Sequence, residues 1–180
     1  MDYYIELARQ SVVHYLKTGK ILETPANLPT EMLKKRAGVF VSIHKRERGL
    51  PRVPPRRDLR GCIGTFLPTR KNVAGEIIYN AISAATEDWR FAPVTLDELD
   101  NLTFSVDVLS EPKQVPNDFP LDSKKYGLIV SCTDGRRGLL LPDIEGVSTP
   151  KEQISICKQK GGIGPNEKVT FSVFTVNRHH

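Results

Sequence analysis

Apolar and polar positions alternate along the chain with two periods, one typical of helices and one typical of strands. Apolar residues recur at helical spacing over residues 3–17 and 73–85, and Gly19 stands where the first of these helices would end. Strict alternation over residues 102–108 predicts a strand with one solvent-exposed face. Short apolar runs predict the remaining elements: strands at residues 39–43, 59–66, 126–132, 137–141 and 169–173, and a helical turn at residues 30–35.

Two local signals refine the second half of the chain. The dipeptide Asp134-Gly135 suits the positive φ of a tight turn, which predicts a hairpin between the two strands around it. Thr149 is followed three residues later by Glu152, the spacing of a capping box, so a helix is expected to begin at Pro150.

The first and second halves of the chain echo one another. Residues 38–42 and 60–63, with a helix after them, match residues 127–131 and 137–140, which also precede a helix. The match predicts an α+β fold of mainly antiparallel sheet, built from two related ββα units with helices packed on the sheet. Chance similarity between two short hairpins is the alternative, because strand sequences are repetitive.

Length and composition indicate a single domain. The chain has 180 residues, of which 39% are hydrophobic and 26% charged, enough apolar material for one core. We therefore expect one domain over residues 1–180, with approximate halves 1–100 and 101–180. No apolar run reaches the roughly 20 residues that span a bilayer, and no signal peptide is evident, so a cytoplasmic protein without membrane contact is expected.

The cysteine pattern gives no indication of a disulfide framework or a metal site. The three cysteines, Cys62, Cys132 and Cys157, form no CxxC pair, and no other cofactor motif is present. Free thiols are therefore expected, with no metal and no cofactor.

The positive charge of the chain is concentrated in one segment. Residues 44–60 hold seven bases and two acids, which accounts for the whole net charge of +5. The glycine and prolines within residues 45–58 predict a long exposed loop. Weak nucleic-acid binding through residues 45–60 is one hypothesis, since each base can neutralise a phosphate. No aromatic residue lies between Lys45 and Arg60 to stack on a base, which favours a solvated loop and argues against nucleic acid as a partner.

The most distinctive string of the sequence is the hexapeptide Leu59–Gly64. Gly61 and Gly64 remove side chains from a predicted strand, which indicates close approach by another backbone or by a ligand. Arg60 offers a planar fork suited to carboxylate or phosphate, and a nearby cation would favour the thiolate of Cys62. We therefore take Arg60, Gly61, Gly64 and Thr65 as candidate binding residues and Cys62 as a candidate nucleophile. The alternative is a buried cysteine beside packing glycines.

A second candidate segment follows the predicted helix at residues 73–85. Asp88 and Arg90 are suited to a polar ligand, and Phe91 to the wall of its site. The alternative is that the Asp–Arg pair fastens the helix end and that Phe91 belongs to the core.

The chain resembles the AMMECR family, whose hallmark is the hexapeptide written here as residues 59–64. The likeness extends over nearly the whole chain. Besides residues 38–41, it includes Asp88, Arg90, Phe91, Pro93, Val106, Leu109, Ser110, Pro112, Gly138, Leu140, Leu141 and Pro142. The resemblance implies an α+β protein with two subdomains around a cleft, bordered by the candidate residues. Family members occur beside or fused to Memo-like and radical-SAM proteins, which are therefore possible partners. Two departures are the length of the loop at residues 45–58 and Asp143, where the family commonly has glutamine.

These observations favour a domain that binds a small molecule or a protein partner, acting with Memo-like and radical-SAM proteins. A Cys62-dependent enzyme of unknown reaction and weak nucleic-acid binding are the two alternatives.

Overall fold

The fold is α+β, with two antiparallel sheets and helices packed on them, as the sequence predicts. A computed structural model of the chain describes residues 2–46 and 57–180. The chain forms two compact units, one of Met1–Val108 with Arg178–His180 and the other of Leu109–Asn177. The elements in chain order are α1 (Tyr3–Thr18), α2 (Thr30–Lys34), β1 (Val39–Arg46), β2 (Arg57–Thr65), α3 (Val73–Thr86), a 3₁₀ helix (Leu96–Asn101), β3 (Leu102–Leu109), β4 (Lys113–Val115), β5 (Gly127–Ser131), β6 (Arg137–Leu140), α4 (Pro150–Lys160), β7 (Thr170–Phe174) and β8 (Val176–His179).

The first sheet has the strand order β2-β1-β3-β8 and buries one face under helices. Alternate residues of β1, namely Val39, Val41 and Ile43, join the core with apolar residues of α1 and α3. Ser42 lies on the opposite face of β1, level with Cys62 on β2. The period-2 pattern of β1 and the 3.6-residue pattern of α3 therefore meet in one hydrophobic core.

The second sheet has the strand order β4-β7-β5-β6, and α4 packs on it. Leu128, Val130 and Phe171 form its core with Cys157 of α4. Thr149 and Glu152 form the predicted capping box, and Gly135 takes the predicted positive φ, at 90°. Both local predictions for this unit are confirmed.

Each unit brings a strand glycine against the backbone of the helix that follows it. A Cβ on Gly61 of β2 would collide with the carbonyl oxygen of Ala84 in α3. A Cβ on Gly138 of β6 would collide with the carbonyl oxygen of Cys157 in α4. These glycines occupy matched positions in the sequence echo, and the shared packing supports the prediction of two related ββα units.

Several predicted boundaries were wrong. Lys45 and Arg46 belong to β1 and lie opposite Asp58 and Arg57 of β2, so the ends of the basic loop pair as strands. Strand pairing is possible there because the glycine and prolines all lie within residues 49–55. The rest of the predicted loop, residues 47–56, lies outside the described residues. The sequence analysis also missed β4, β8 and the 3₁₀ helix, whose runs are too short or too polar to show a period.

None of the helices in the described part of the chain is long and apolar enough to cross a membrane.

Substitution of Gly61 by alanine is expected to destabilise the first unit by about 3 kcal/mol or more, because the added Cβ would force α3 off the sheet. The matched control is Gly164→Ala, where the added Cβ would meet only the end of the Glu167 side chain. Urea unfolding measures both changes. Equal stability of Gly61→Ala and the wild type would contradict the close approach.

Candidate functional site

Arg60 lies at an irregularity in the pairing of β2, and its side chain is hydrogen-bonded to other residues of the first unit. The pairing with β1 skips Arg60, since Ile43 lies opposite Gly61 and His44 opposite Leu59. Such a bulge reorients the extra side chain. Arg60 is 7% exposed. Its guanidinium donates to both carboxylate oxygens of Glu98, at 2.8 and 2.9 Å, and to the carbonyl oxygens of Ala92 and Pro93.

The Arg60–Glu98 ion pair is strong by geometry and by charge. Two parallel hydrogen bonds join the guanidinium to the carboxylate, the arrangement that suits arginine best. The guanidinium lowers the pKa of Glu98 from 4.5 to about 2, and Glu98 raises the pKa of Arg60. The fork that the sequence analysis reserved for a ligand is therefore bound to Glu98 in this structure.

Cys62 lies on the sheet face opposite the helices, where its thiol contacts Ser42. The Ser42 hydroxyl donates to the Cys62 sulfur at 3.2 Å. Burial raises the pKa of the Cys62 thiol above its ordinary value, as do the carboxylates of Asp107 and Asp88 to a smaller extent. The Ser42 hydrogen bond and the charge of Arg90 act in the opposite direction without reversing the shift. This environment favours the neutral thiol.

Asp88 fastens a turn to the edge strand β2. Its buried carboxylate accepts the backbone N–H of Cys62 at 2.8 Å, together with the guanidinium of Arg90 at 2.7 and 2.9 Å. The carbonyl oxygen of Asp88 accepts the N–H of Phe91, which closes the turn. Arg90 lowers the pKa of Asp88 from 3.8 to about 2. The outward N–H of Cys62 is thus capped by a charged side chain, which also protects the sheet edge.

Trp89 stands at the tip of this turn and is 90% exposed. Asp88 and Arg90, its neighbours on either side, contact one another. The sequence pattern indicates Phe91, not Trp89, as the aromatic of the site. The sequence does contain one signal for Trp89: it lies between Asp88 and Arg90, two residues of opposite charge that can pair around it.

A hollow of about 460 Å³ lies beside the turn and contains three of the candidate residues, Arg60, Arg90 and Phe91. Its other walls are Lys45, Asp58, Leu59, Ala92 and Glu98. Because bases and acids both line it, the hollow offers donors and acceptors of either charge to a bound group. Arg90 lies over the Phe91 ring, 5.4 Å from its centre.

The remaining candidates of the hexapeptide region serve packing. A Cβ on Gly64 would collide with the ring of Phe40, so this glycine makes room for a side chain of β1. The Thr65 hydroxyl donates to the buried carboxylate of Glu76 at 2.8 Å and accepts from Asn80 at 3.3 Å. Gly61 faces the α3 backbone, as described above. These three residues lie apart from the lining of the hollow.

Comparison with known proteins identifies the family. The family model for AMMECR1 matches residues 5–179. The chain belongs to the AMMECR1 family. The resemblance inferred from the hexapeptide is thereby confirmed.

Relatives of this AMMECR1 domain come from bacteria and archaea. A Thermotoga maritima protein is 48% identical over 177 residues, covering 98% of this chain and 96% of the relative. A Clostridium acetobutylicum protein is 47% identical over 180 residues, and the chain spans only 36% of that longer protein. The crystal structure of an uncharacterised Pyrococcus horikoshii protein superposes with a TM-score of 0.80 at 32% identity, covering 98% of this chain and 88% of that one. This AMMECR1 domain therefore shares its fold with that archaeal protein.

Across residues 2–46 and 57–180, the histidine, cysteine and acidic side chains form no group of three that could hold a metal ion.

The Arg60–Glu98 pair should make the stability of the AMMECR1 domain depend on acid pH. Because the folded-state pKa of Glu98 is depressed, its contribution is complete above pH 4.5 and is lost as the pH falls to about 2. Glu98→Gln should cost about 2 kcal/mol at neutral pH, and the cost should shrink progressively as the pH falls through about 2. Urea unfolding at several pH values tests this, with Asp100→Asn, whose carboxylate is solvent-exposed, as the control. A constant difference across the pH range would contradict the assignment.

The Cys62 thiol is expected to react slowly with iodoacetamide at neutral pH, because burial raises its pKa. Peptide mapping after timed alkylation measures each cysteine separately, and the unfolded chain supplies the reference rate. Ser42→Ala should slow the reaction further, since it removes the donor that stabilises the thiolate. A titration midpoint below the ordinary thiol range would overturn this reading.

Proposed function

We propose that this AMMECR1 domain is a binding domain that docks a protein partner through the turn at residues 88–91, with Trp89 as the anchor. The hollow beside the turn accepts a polar group of the same partner. Memo-like and radical-SAM proteins are the proposed partners, on the resemblance described above.

The exposure of Trp89 carries the proposal. A tryptophan side chain gains about 2–3 kcal/mol when its surface is removed from water. Tryptophan and arginine dominate the few residues that supply most of the binding energy at protein interfaces. Trp89 is both 90% exposed and adjacent to Arg90, so the turn combines two such residues.

The turn is held in place before any partner binds. The Asp88 carboxylate ties it to the Cys62 N–H and to Arg90, and the Phe91 N–H closes it from within. An anchor on a fixed turn loses less conformational entropy on binding than one on a free loop. The hydrogen bonds around Asp88 therefore support an interface more directly than they support catalysis.

Exposed residues that follow Trp89 in sequence, together with the hollow beside the turn, indicate what the partner presents. Leu96 is 48% exposed on the 3₁₀ helix, and Ala92 is exposed between it and the turn in sequence. The hollow adds Lys45 and Asp58, whose charges are opposite. A partner that covers Trp89 with an apolar group and places a hydrogen-bonding side chain in the hollow would match both features.

The two alternative functions have weaker support. The raised pKa of Cys62 disfavours the thiolate that a cysteine-dependent enzyme needs. For nucleic acid, Trp89 offers the stacking aromatic that residues 45–60 lack, but the guanidinium groups of Arg60 and Arg90 are already paired with Glu98 and Asp88, which reduces what they offer a phosphate.

Trp89 also supplies the test, because it is the single tryptophan of the chain. Addition of a purified Memo-like or radical-SAM protein in which tryptophan is replaced should shift the Trp89 emission to shorter wavelength and protect it from acrylamide. Trp89→Ala should weaken binding about 30-fold by calorimetry. Leu96→Ala, a change at another exposed apolar residue, should have a smaller effect.

Two results would contradict the proposal. One is complex formation that leaves the Trp89 emission and the affinity of Trp89→Ala unchanged. The other is a photoreactive residue at position 89 that crosslinks to no protein in cells above the background given by the same residue at position 67, where Leu67 is also exposed.

A further inference from the structure

The second unit carries a groove along the outer side of α4, away from the turn at residues 88–91 in sequence. The groove has a volume of about 470 Å³. It is lined by Lys151, Ile154, Ser155, Lys158, Gln159, Ile163 and Pro165. None of these residues was assigned a role by the sequence, the family comparison or the proposed function.

The floor of the groove is apolar and already shaped. Cys157 and Gln153 are the fully buried residues of α4, and Cys157 contacts the carbonyl of Leu128 on β5. Ile154 is only partly buried, and it meets Ile163 and Pro165 in the groove. Ile154 and Ile163 also pack in the core of the second unit, so the floor of the groove is the exposed margin of that core.

Hydrogen bonds hold the wall formed by residues 163–167. The Lys158 ammonium donates to the carbonyl oxygens of Pro165, at 2.6 Å, and Glu167, at 3.3 Å. The Ile163 N–H donates to the carbonyl oxygen of Lys158 at 2.8 Å. The groove is therefore organised before a ligand arrives, which lowers the entropic cost of binding.

The charge of the groove is positive. Lys151 has no hydrogen-bond or ion-pair partner among the described residues, and Lys158 contacts only carbonyl oxygens. The nearby carboxylates are engaged elsewhere: Glu152 in the capping box and Glu167 with Arg136. Since no acid lines the groove, a bound segment would have to supply the negative charge.

We infer that this groove binds an amphipathic helix of a partner protein through apolar residues flanked by acids. Lys151 and Lys158 are seven residues apart on α4, about 10 Å along its axis. Acidic side chains at positions i and i+7 of a second helix have the same separation, and apolar side chains at i+3 and i+4 then lie on the same face between them. Such a helix places its apolar side chains over Ile154 and Pro165 and its two acids beside the two lysines.

The probe for this inference is a fluorescent 14-residue helical peptide with glutamate at two positions seven apart and leucines between them. A twin peptide with lysine in place of both glutamates is the negative probe. Fluorescence anisotropy at low salt should show binding of the acidic peptide alone, weakening as salt is raised.

Matched variants locate the binding. Lys151→Glu should weaken the acidic peptide about tenfold or more, and should gain measurable affinity for the lysine peptide. Lys160→Glu is the control, because it makes the same charge change at an exposed position of α4 outside the groove. Its effect should be no more than about twofold. Ile154→Ser, checked for folding by circular dichroism, should weaken binding of the acidic peptide, including the part of the affinity that remains at high salt.

Three outcomes would overturn the inference. The first is no binding of the acidic peptide by the wild-type chain. The second is an equal effect of Lys151→Glu and Lys160→Glu, which would indicate non-specific attraction. The third is tighter binding of single-stranded oligonucleotides or anionic vesicles at the same groove, as judged by the same variants. The Trp89 measurements are independent of all three, because they concern the other unit.

Discussion

The close approach of α3 to β2 sets the geometry of the candidate site. With no side chain on Gly61, the carbonyl of Ala84 comes into contact with the strand. Four residues further along, the chain leaves α3 and places Asp88 within hydrogen-bond distance of the Cys62 N–H. A larger residue at position 61 would move the helix and withdraw Asp88 from the strand edge. The orientation of the turn that bears Trp89 therefore depends on the absence of a side chain at position 61.

The hexapeptide at residues 59–64 contacts several other elements of the first unit. Arg60 binds the 3₁₀ helix through Glu98, Gly61 admits α3, and Cys62 receives Asp88. Gly64 accommodates the ring of Phe40 on the neighbouring strand. A motif rich in glycine, cysteine and arginine invites a catalytic interpretation. Here the same residues organise a surface whose exposed aromatic residue, Trp89, lies outside the motif.

The sequence predicted elements whose periods reflect burial on one face, and local turns whose chemistry is self-contained. The helix at residues 73–85, the alternating strand at 102–108, the capping box at Thr149 and the turn at Gly135 are of this kind. It did not predict that Arg60 would face Glu98, because that contact depends on a bulge and on a short helix 38 residues away. Nor did it single out Trp89, since exposure is a property of the folded chain.

The topology of the first sheet has a consequence for folding during synthesis. Strand β8, at Val176–His179, forms the edge beside β3, and Arg178 pairs with the buried Asp107. Residues 109–175, nearly all of the second unit, leave the ribosome before that strand does. A nascent chain can thus complete the second unit while the first still exposes an unpaired strand edge. The first unit, although its synthesis begins earlier, is therefore completed later, because one of its strands is synthesised last.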